Sequence, residues 1–302
     1  MKVLMTGSSG FLGSALRRAL EAGGHTVAPL VRRGPRPGSH EIEWDPRRGQ
    51  IDARELEGAD AAIHLAGVNI GGTRWTAQHK ARVLDSRVRG TRLFSETLAR
   101  LDGPPKVLFS ASGVGFYGDR GDEVLTEASD PGSDFVASVC RAWEGQTEPA
   151  RSAGIRVINA RTAPVLDPSG GILPWMLIPF RFGVGGRLGP GSQWFSWITL
   201  TDYVGAALFV MEREDVEGPV NVAAPNPVTN AVLTSAVARV LHRPAFLAAP
   251  AILLKVALGG EMADELLLVS QRVHPAVLER AGYRFAHSRV DDALRSMIGG
   301  HK

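Results

Sequence analysis

The chain has 302 residues, 44% of them hydrophobic and 22% charged, and its 34 Lys and Arg against 31 Asp and Glu give a formal charge of +3. That length suits one large α/β domain or a main domain with a smaller lobe. Acids and bases are interspersed, with no basic tail and no basic-aromatic stripe, which argues against a nucleic-acid partner. The single cysteine, Cys140, excludes an intramolecular disulfide and any Cys-based metal site, and it fits a reducing cytoplasm. The sequence enters an apolar run at once, so no signal peptide is expected. The most apolar later run, Ala245 to Leu258, is broken by Pro250 and Lys255. It falls short of the roughly 20 residues of a membrane span and is expected to be a buried helix.

In chain order, Val3, Leu4 and Met5 form a short apolar strand leading into Thr6-Gly7-Ser8-Ser9-Gly10-Phe11-Leu12-Gly13. The following Ser14 to Ala22 repeats apolar residues at helical spacing. Strand, glycine turn and helix together cradle a dinucleotide pyrophosphate. Gly7 permits the tight turn, Gly10 lets a diphosphate approach the backbone, and Gly13 lets the helix pack on the strand. The free N–H groups of the first helical turn then face the phosphates. Thr26 to Val31 forms a second strand, followed by Arg32 and Arg33 where an acidic residue would select NAD. Two guanidinium groups at this point suit the 2′-phosphate of NADP, although exposed loop arginines would look the same. A short third strand over Glu41 to Asp45 brings Trp44 and Asp45 to the place where such folds flank an adenine.

Residues Asp60 to Gly67 read as a buried parallel strand ending in small residues, with His64 as a core histidine. A helix is expected over about Thr76 to Leu101, a strand over Val107 to Ser112, and then the turn Gly113 to Asp119. A helix over about Asp134 to Arg151 and a strand over Ile155 to Arg161 continue the alternation. The pattern predicts a doubly wound parallel sheet with helices on both faces. From Pro168 the composition turns to glycine, proline and tryptophan, with Gln193, Trp194 and Trp197 suiting either a sugar-binding surface or plain packing. The helix near Asp202 to Met211 and the strand near Val220 to Val222 return to the sheet, and Thr229 to Ile298 is mostly helical. Residues 1–166 and 199–225 are thus expected to bind the dinucleotide, with 167–198 and 226–302 forming a smaller, mostly helical substrate lobe.

Over its whole length the chain resembles an extended short-chain dehydrogenase/reductase, and more narrowly the atypical NAD(P)-binding, epimerase-like subgroup. The resemblance rests on Thr6 to Gly13, Asp60 to Gly67, Ser86-Arg87 with Thr91, and Ser110 to Asp119. It extends through Gly132 to Glu144, Arg161-Thr162, Trp197-Ile198, Thr201-Asp202 and Asn221 to Pro225. It implies a Rossmann fold and NADP as cofactor. The glycine turn (Gly7, Ser9, Gly10, Phe11, Leu12, Gly13) would hold the diphosphate, and Arg32, with Val31 and Arg33 beside it, the 2′-phosphate. Leu65 and Ala66 would line the ribose, Arg87 would reach a phosphate, and Pro164 would offer a backbone carbonyl near the nicotinamide amide.

The same resemblance implies a Ser with a Tyr-x-x-x-Lys pair, in which the lysine lowers the tyrosine pKa for proton transfer. Ser112 stands at the serine position, but Phe135 and Val139 stand where the pair should be. The remaining tyrosines, Tyr117, Tyr203 and Tyr283, are followed four residues later by Gly121, Ala207 and His287, so no shift of register restores it. Tyr117, Lys80, Arg87 and Asp119 are the candidate substitutes, each with an ordinary structural explanation, and Ser112 with Tyr117 is the catalytic expectation. The implied activity is an NADP(H)-dependent oxidoreductase or epimerase-like reaction on a small or sugar-like substrate. The alternative is a non-catalytic NADPH-binding or redox-sensing protein. No metal and no membrane is implied, and the oligomeric state is left open.

Overall fold

The computed structural model describes residues 1–299; residues 300–302 of the expected substrate lobe lie outside them. Its main element is an eight-stranded sheet. From one edge to the other the strands are Gly218–Val222, Arg156–Thr162, Val107–Gly113, Ala61–His64, Lys2–Thr6, Thr26–Val31, Ile42–Asp45 and Gln50–Ile51. All neighbours are parallel except the last pair, which closes the edge as an antiparallel hairpin.

Side chains alternate between the faces of a strand, and here both faces are apolar. Val3, Met5, Ile63 and Phe109 join Leu16 and Leu20 of the Phe11–Ala22 helix and Tyr203 and Val210 of the Leu200–Glu212 helix in one core. Leu4, Ala62 and Leu108 face the other way, onto Phe94 and Leu98 of the Ala77–Leu98 helix. Each such side chain, fully buried, stabilises the fold by roughly 1.5–3 kcal/mol before entropy is counted. The doubly wound sheet is therefore as the sequence predicts.

The expected helix over Asp134 to Arg151 is two helices, Phe135–Gly145 and Glu148–Ser152. The Thr147 hydroxyl turns back onto the Glu144 carbonyl (2.7 Å) and Pro149 has no N–H to continue the ladder. The glycine- and proline-rich segment after Pro168 contains the helix Leu173–Arg181 despite Pro179 inside it. Leu173, Leu177 and Phe180 pack there with Trp197, Leu233 and Leu294 as a separate core. Trp197 is fully buried and donates to the Asn226 carbonyl, so it is a packing residue and not a ligand platform.

The Ala251–Leu258 helix corrects another expectation, because none of its residues is buried. Ile252, Leu253 and Val256 are 61–68% exposed. Among the described residues no helix is long and apolar enough to cross a membrane.

Candidate active site

A cavity of about 430 Å³ opens at the carboxyl ends of the central strands. Its walls come from the glycine turn (Gly7, Gly10, Phe11, Leu12, Gly13), from Leu65, from Arg87, from Ser112 and from Val136, Val139 and Cys140. This is where open α/β sheets bind ligands.

The glycine turn is built as its sequence requires. Gly7 has φ +70° and lies so close to the end of the neighbouring strand that a Cβ would stand 2.8 Å from the Leu65 carbonyl carbon. A Cβ on Gly13 would meet the Gly7 carbonyl oxygen at 2.1 Å, so only glycine lets the helix start this close to the turn. The Gly10 N–H donates to Gly7 (3.0 Å), and Gly10 caps the Phe11–Ala22 helix without any side-chain hydrogen bond. The first-turn N–H groups are left for a ligand. Ser9 is exposed at the tip of the turn and is not part of the cavity wall.

The two arginines after the second strand separate in role. Arg33 pairs with Glu41 at 2.6 Å, and Arg36 joins it at 2.8 Å. Their hydrogen bonds hold the Glu41 carboxyl down at about 2. Arg32 is exposed and has no hydrogen-bond or ion-pair partner among the described residues, at the strand end beside Val31. Trp44 does not flank an adenine pocket: it is 3% exposed and meets the His64 ring edge-on at 6.1 Å. Asp45 instead accepts from the Arg47 and Arg48 N–H groups of its own turn.

His64 is the core histidine expected. The Leu65 and Ala66 N–H groups donate to Thr6 Oγ1 at 3.2 and 3.3 Å. The Thr6 proton therefore goes to His64 Nδ1 (2.8 Å), which leaves the ring proton on Nε2 to donate to Thr91 Oγ1 (2.9 Å). Burial pushes the imidazole pKa down to about 3, so the ring is neutral. Its work is to tie the strand ends to the Ala77–Leu98 helix and fix Leu65 and Ala66. Leu65 reaches the cavity; Ala66 packs beneath it in the core.

Arg87 lines the cavity with a covered guanidinium stacked 4.7 Å over Trp143. Its Nη1 donates to the Val68 and Val83 carbonyls at 2.9 and 3.2 Å, and no carboxylate pairs with it among the described residues. Burial lowers its pKa from the usual arginine value. A covered cation without an anion, on a cavity wall, suits an anionic ligand group.

The catalytic expectation divides. Ser112 is on the wall, with its Oγ donating to Glu144 Oε1 at 2.7 Å. Glu144 is in turn gripped by Arg161 through Nε and Nη2, both at 2.9 Å. Tyr117 is not on the wall. It is fully buried, accepts from Arg161 Nη1 (3.1 Å) and donates to Asn221 Oδ1 (2.6 Å). Burial raises its pKa, which works against proton release. The tyrosine was singled out for its closeness in sequence to Ser112, and the Val114–Tyr117 turn carries its ring away from the cavity into an apolar cluster.

Lys80 pairs with Glu261 and lies 4.3 Å over the Phe135 ring, which also meets Trp75 edge-on. Asp119 accepts from the Gly121 and Ser270 N–H groups. Pro164 is off the wall, its carbonyl taken by the Ile198 N–H at 3.1 Å. Trp194 donates to Asp122 (2.8 Å) with Arg272 over its ring, and Gln193 donates to the Leu188 carbonyl. The Cys140 thiol lines the cavity beside Ser112 and Gly113, and burial pushes it up to about 11.

The roles of Glu144, Arg161 and Glu265 are not legible in the sequence. Nothing in the spacing of Glu144 and Arg161 signals that Glu144, gripped by Arg161, accepts from Ser112. Glu265 accepts from the Val136 N–H at 2.9 Å, so the C-terminal segment caps the helix that carries Phe135. Burial raises the Glu265 pKa.

This fold and cavity define a dinucleotide-binding protein of the extended dehydrogenase/reductase class. The sequence profile of the NAD dependent epimerase/dehydratase family matches residues 3–223, and the chain belongs to that family. Residues 249–297 match a domain of unknown function, DUF1731. The chain is 44% identical over 292 residues to epimerase family protein Mb2239 of Mycobacterium bovis, covering 97% of this chain and 96% of that protein. The crystal structure of human epimerase family protein SDR39U1 (isoform2) with NADPH superposes with a TM-score of 0.90 at 31% identity, over 100% of both chains. The nucleoside-diphosphate sugar epimerase from Corynebacterium glutamicum gives a TM-score of 0.81 at 37% identity, with 100% of this chain covered and 59% of that one.

Proposed function

We propose that the protein is an NADP(H)-dependent oxidoreductase of epimerase-like type acting on a small or sugar-like substrate. The observation that carries this is one cavity joining the glycine turn, the unpaired Arg87 and Ser112. The residues fit the cofactor. Gly7 and Gly13 let the turn close tightly against Leu65 and the start of the helix, no side chain caps the helix N-terminus, and Arg87 and Arg32 lack anionic partners among the described residues. Residues 1–166 and 199–225 would hold the nucleotide, with the diphosphate at the glycine turn and the 2′-phosphate on Arg32. Residues 167–198 and 226–302 would form the substrate-side lobe beside them.

Bound NADP(H) would supply or accept the hydride. The chain's own part is positioning. Val136, Val139 and Cys140 form an apolar wall that keeps water from the reacting carbon, and Ser112 meets the substrate oxygen. With Tyr117 shut away, the proton exchanged at that oxygen comes from the substrate itself or from water. The relatedness to a protein described as a nucleoside-diphosphate sugar epimerase supports a sugar-like substrate.

The test is NADPH oxidation across aldehydes, ketones, quinones and sugar nucleotides, with Ser112→Ala beside wild type. Turnover that Ser112→Ala abolishes is the expected result. A second reading, an NADPH-binding protein without turnover, is favoured by Phe135 and Val139 occupying the Tyr and Lys positions. Tight NADPH binding with no turnover on any substrate would select it.

A further inference from the structure

The polarity of the hydrogen bonds around Ser112 is fixed by the one group in the network that can only donate. Arg161 is 5% exposed at its side chain and gives both Nε and Nη2 to Glu144. Glu144 accepts at both of its oxygens. The Ser112 proton, 2.7 Å from Glu144 Oε1, therefore belongs to that bond. The third arm of Arg161 enforces the same direction beyond, since Tyr117 accepts from it and passes its own proton to Asn221.

The other hydroxyl on the cavity wall behaves alike. Thr162 donates to the Ala160 carbonyl at 3.2 Å. Thr162 does not stand beside Ser112: Ser112 pairs with Arg161 and Gly113 with Thr162, so the Ser112 and Thr162 side chains leave opposite faces of the sheet. The weak Cys140 thiol donor beside Ser112 uses at most one of its lone pairs. At this point of the cavity Ser112 offers lone pairs and withholds its proton, whereas Arg87 supplies donors elsewhere on the same cavity.

From this polarity we infer that Ser112 selects a ligand group that donates, a hydroxyl or an N–H, and disfavours a carbonyl oxygen at the same point. The Glu144–Arg161 clasp sets this direction. The inference rests on the reading of this cavity as the cofactor and substrate site. It assigns to that site the alcohol form of the substrate as the better ligand.

The test uses two matched pairs, cyclohexanol with cyclohexanone and myo-inositol with its 2-ketone. Each is titrated into the purified full chain saturated with NADP, by calorimetry. The alcohol of each pair should bind about tenfold more tightly than its ketone. Ser112→Ala should erase the difference, and Ser112→Thr should restore it. Ketones binding as well or better, a preference that survives Ser112→Ala, or no binding of either member overturns the inference. NADPH fluorescence enhancement is recorded first. Its absence in wild type would overturn the cofactor reading itself, and so separates the two failures.

Discussion

Arg87→Met tests the anion site most sharply, because its two effects should part company. Methionine keeps much of the apolar stem against Trp143 but removes the charge. In the ligand-free chain, the lost hydrogen bonds to Val68 and Val83 are offset by relief of a covered, unpaired cation. The unfolding free energy should therefore change by less than about 1 kcal/mol. The bound phosphate loses a charge-assisted hydrogen bond that contributes about 1.5–3 kcal/mol, so NADPH affinity should fall roughly ten- to a hundredfold. Fluorescence titration and urea unfolding on the same preparation read the two effects. Unchanged affinity with a stability loss above about 2 kcal/mol would show that Arg87 is only a structural strut.

Other substitutions probe the scaffold around the same cavity. Gly13→Ala places a methyl 2.1 Å from the Gly7 carbonyl oxygen, and should cost about 1–3 kcal/mol in urea unfolding and weaken NADPH at least tenfold. An unchanged midpoint would refute the close approach. Glu144→Ala strands the Arg161 cation, 5% exposed, and should cost about 3–5 kcal/mol by the same measurement. His64 gives a pH signature. Its pKa is about 3 in the fold against 6.5 in the unfolded chain, so the unfolded state binds the extra proton between those values. The stability it provides is complete above pH 6.5 and falls with pH by up to about 1.4 kcal/mol per unit. Unfolding curves at pH 7, 6 and 5 should lose that slope in His64→Asn; an equal slope in the variant would rule the histidine out as its source.

The parts of the fold that follow from local chemistry were legible in the sequence. Apolar runs place the strands because a sheet covered on both faces buries them, and the glycine spacing places the Gly7–Gly13 turn because its close approaches exclude a Cβ. His64 was legible for the same reason, as a polar residue inside an apolar strand. What depended on distant partners was not. Arg32 and Arg33 look equivalent in sequence, and only Glu41, eight residues beyond Arg33, distinguishes them. Tyr117 is near Ser112 in the chain, yet its ring turns to Asn221. Ser112 is legible as a site hydroxyl, but the direction of its proton is set by Glu144 and Arg161, which come from other elements. The Leu173–Arg181 helix was hidden by its prolines, since tertiary packing of Leu173, Leu177 and Phe180 outweighs their local penalty.

The central claim is that the cavity holds NADP(H) through the glycine turn and Arg32. It is tested most directly by the dissociation constants of NADPH and NADH for wild type and for Arg32→Ala. The account predicts that wild type binds NADPH at least tenfold more tightly than NADH, and that Arg32→Ala removes the preference by weakening NADPH alone. Equal affinities in wild type, or a preference untouched by Arg32→Ala, would contradict it.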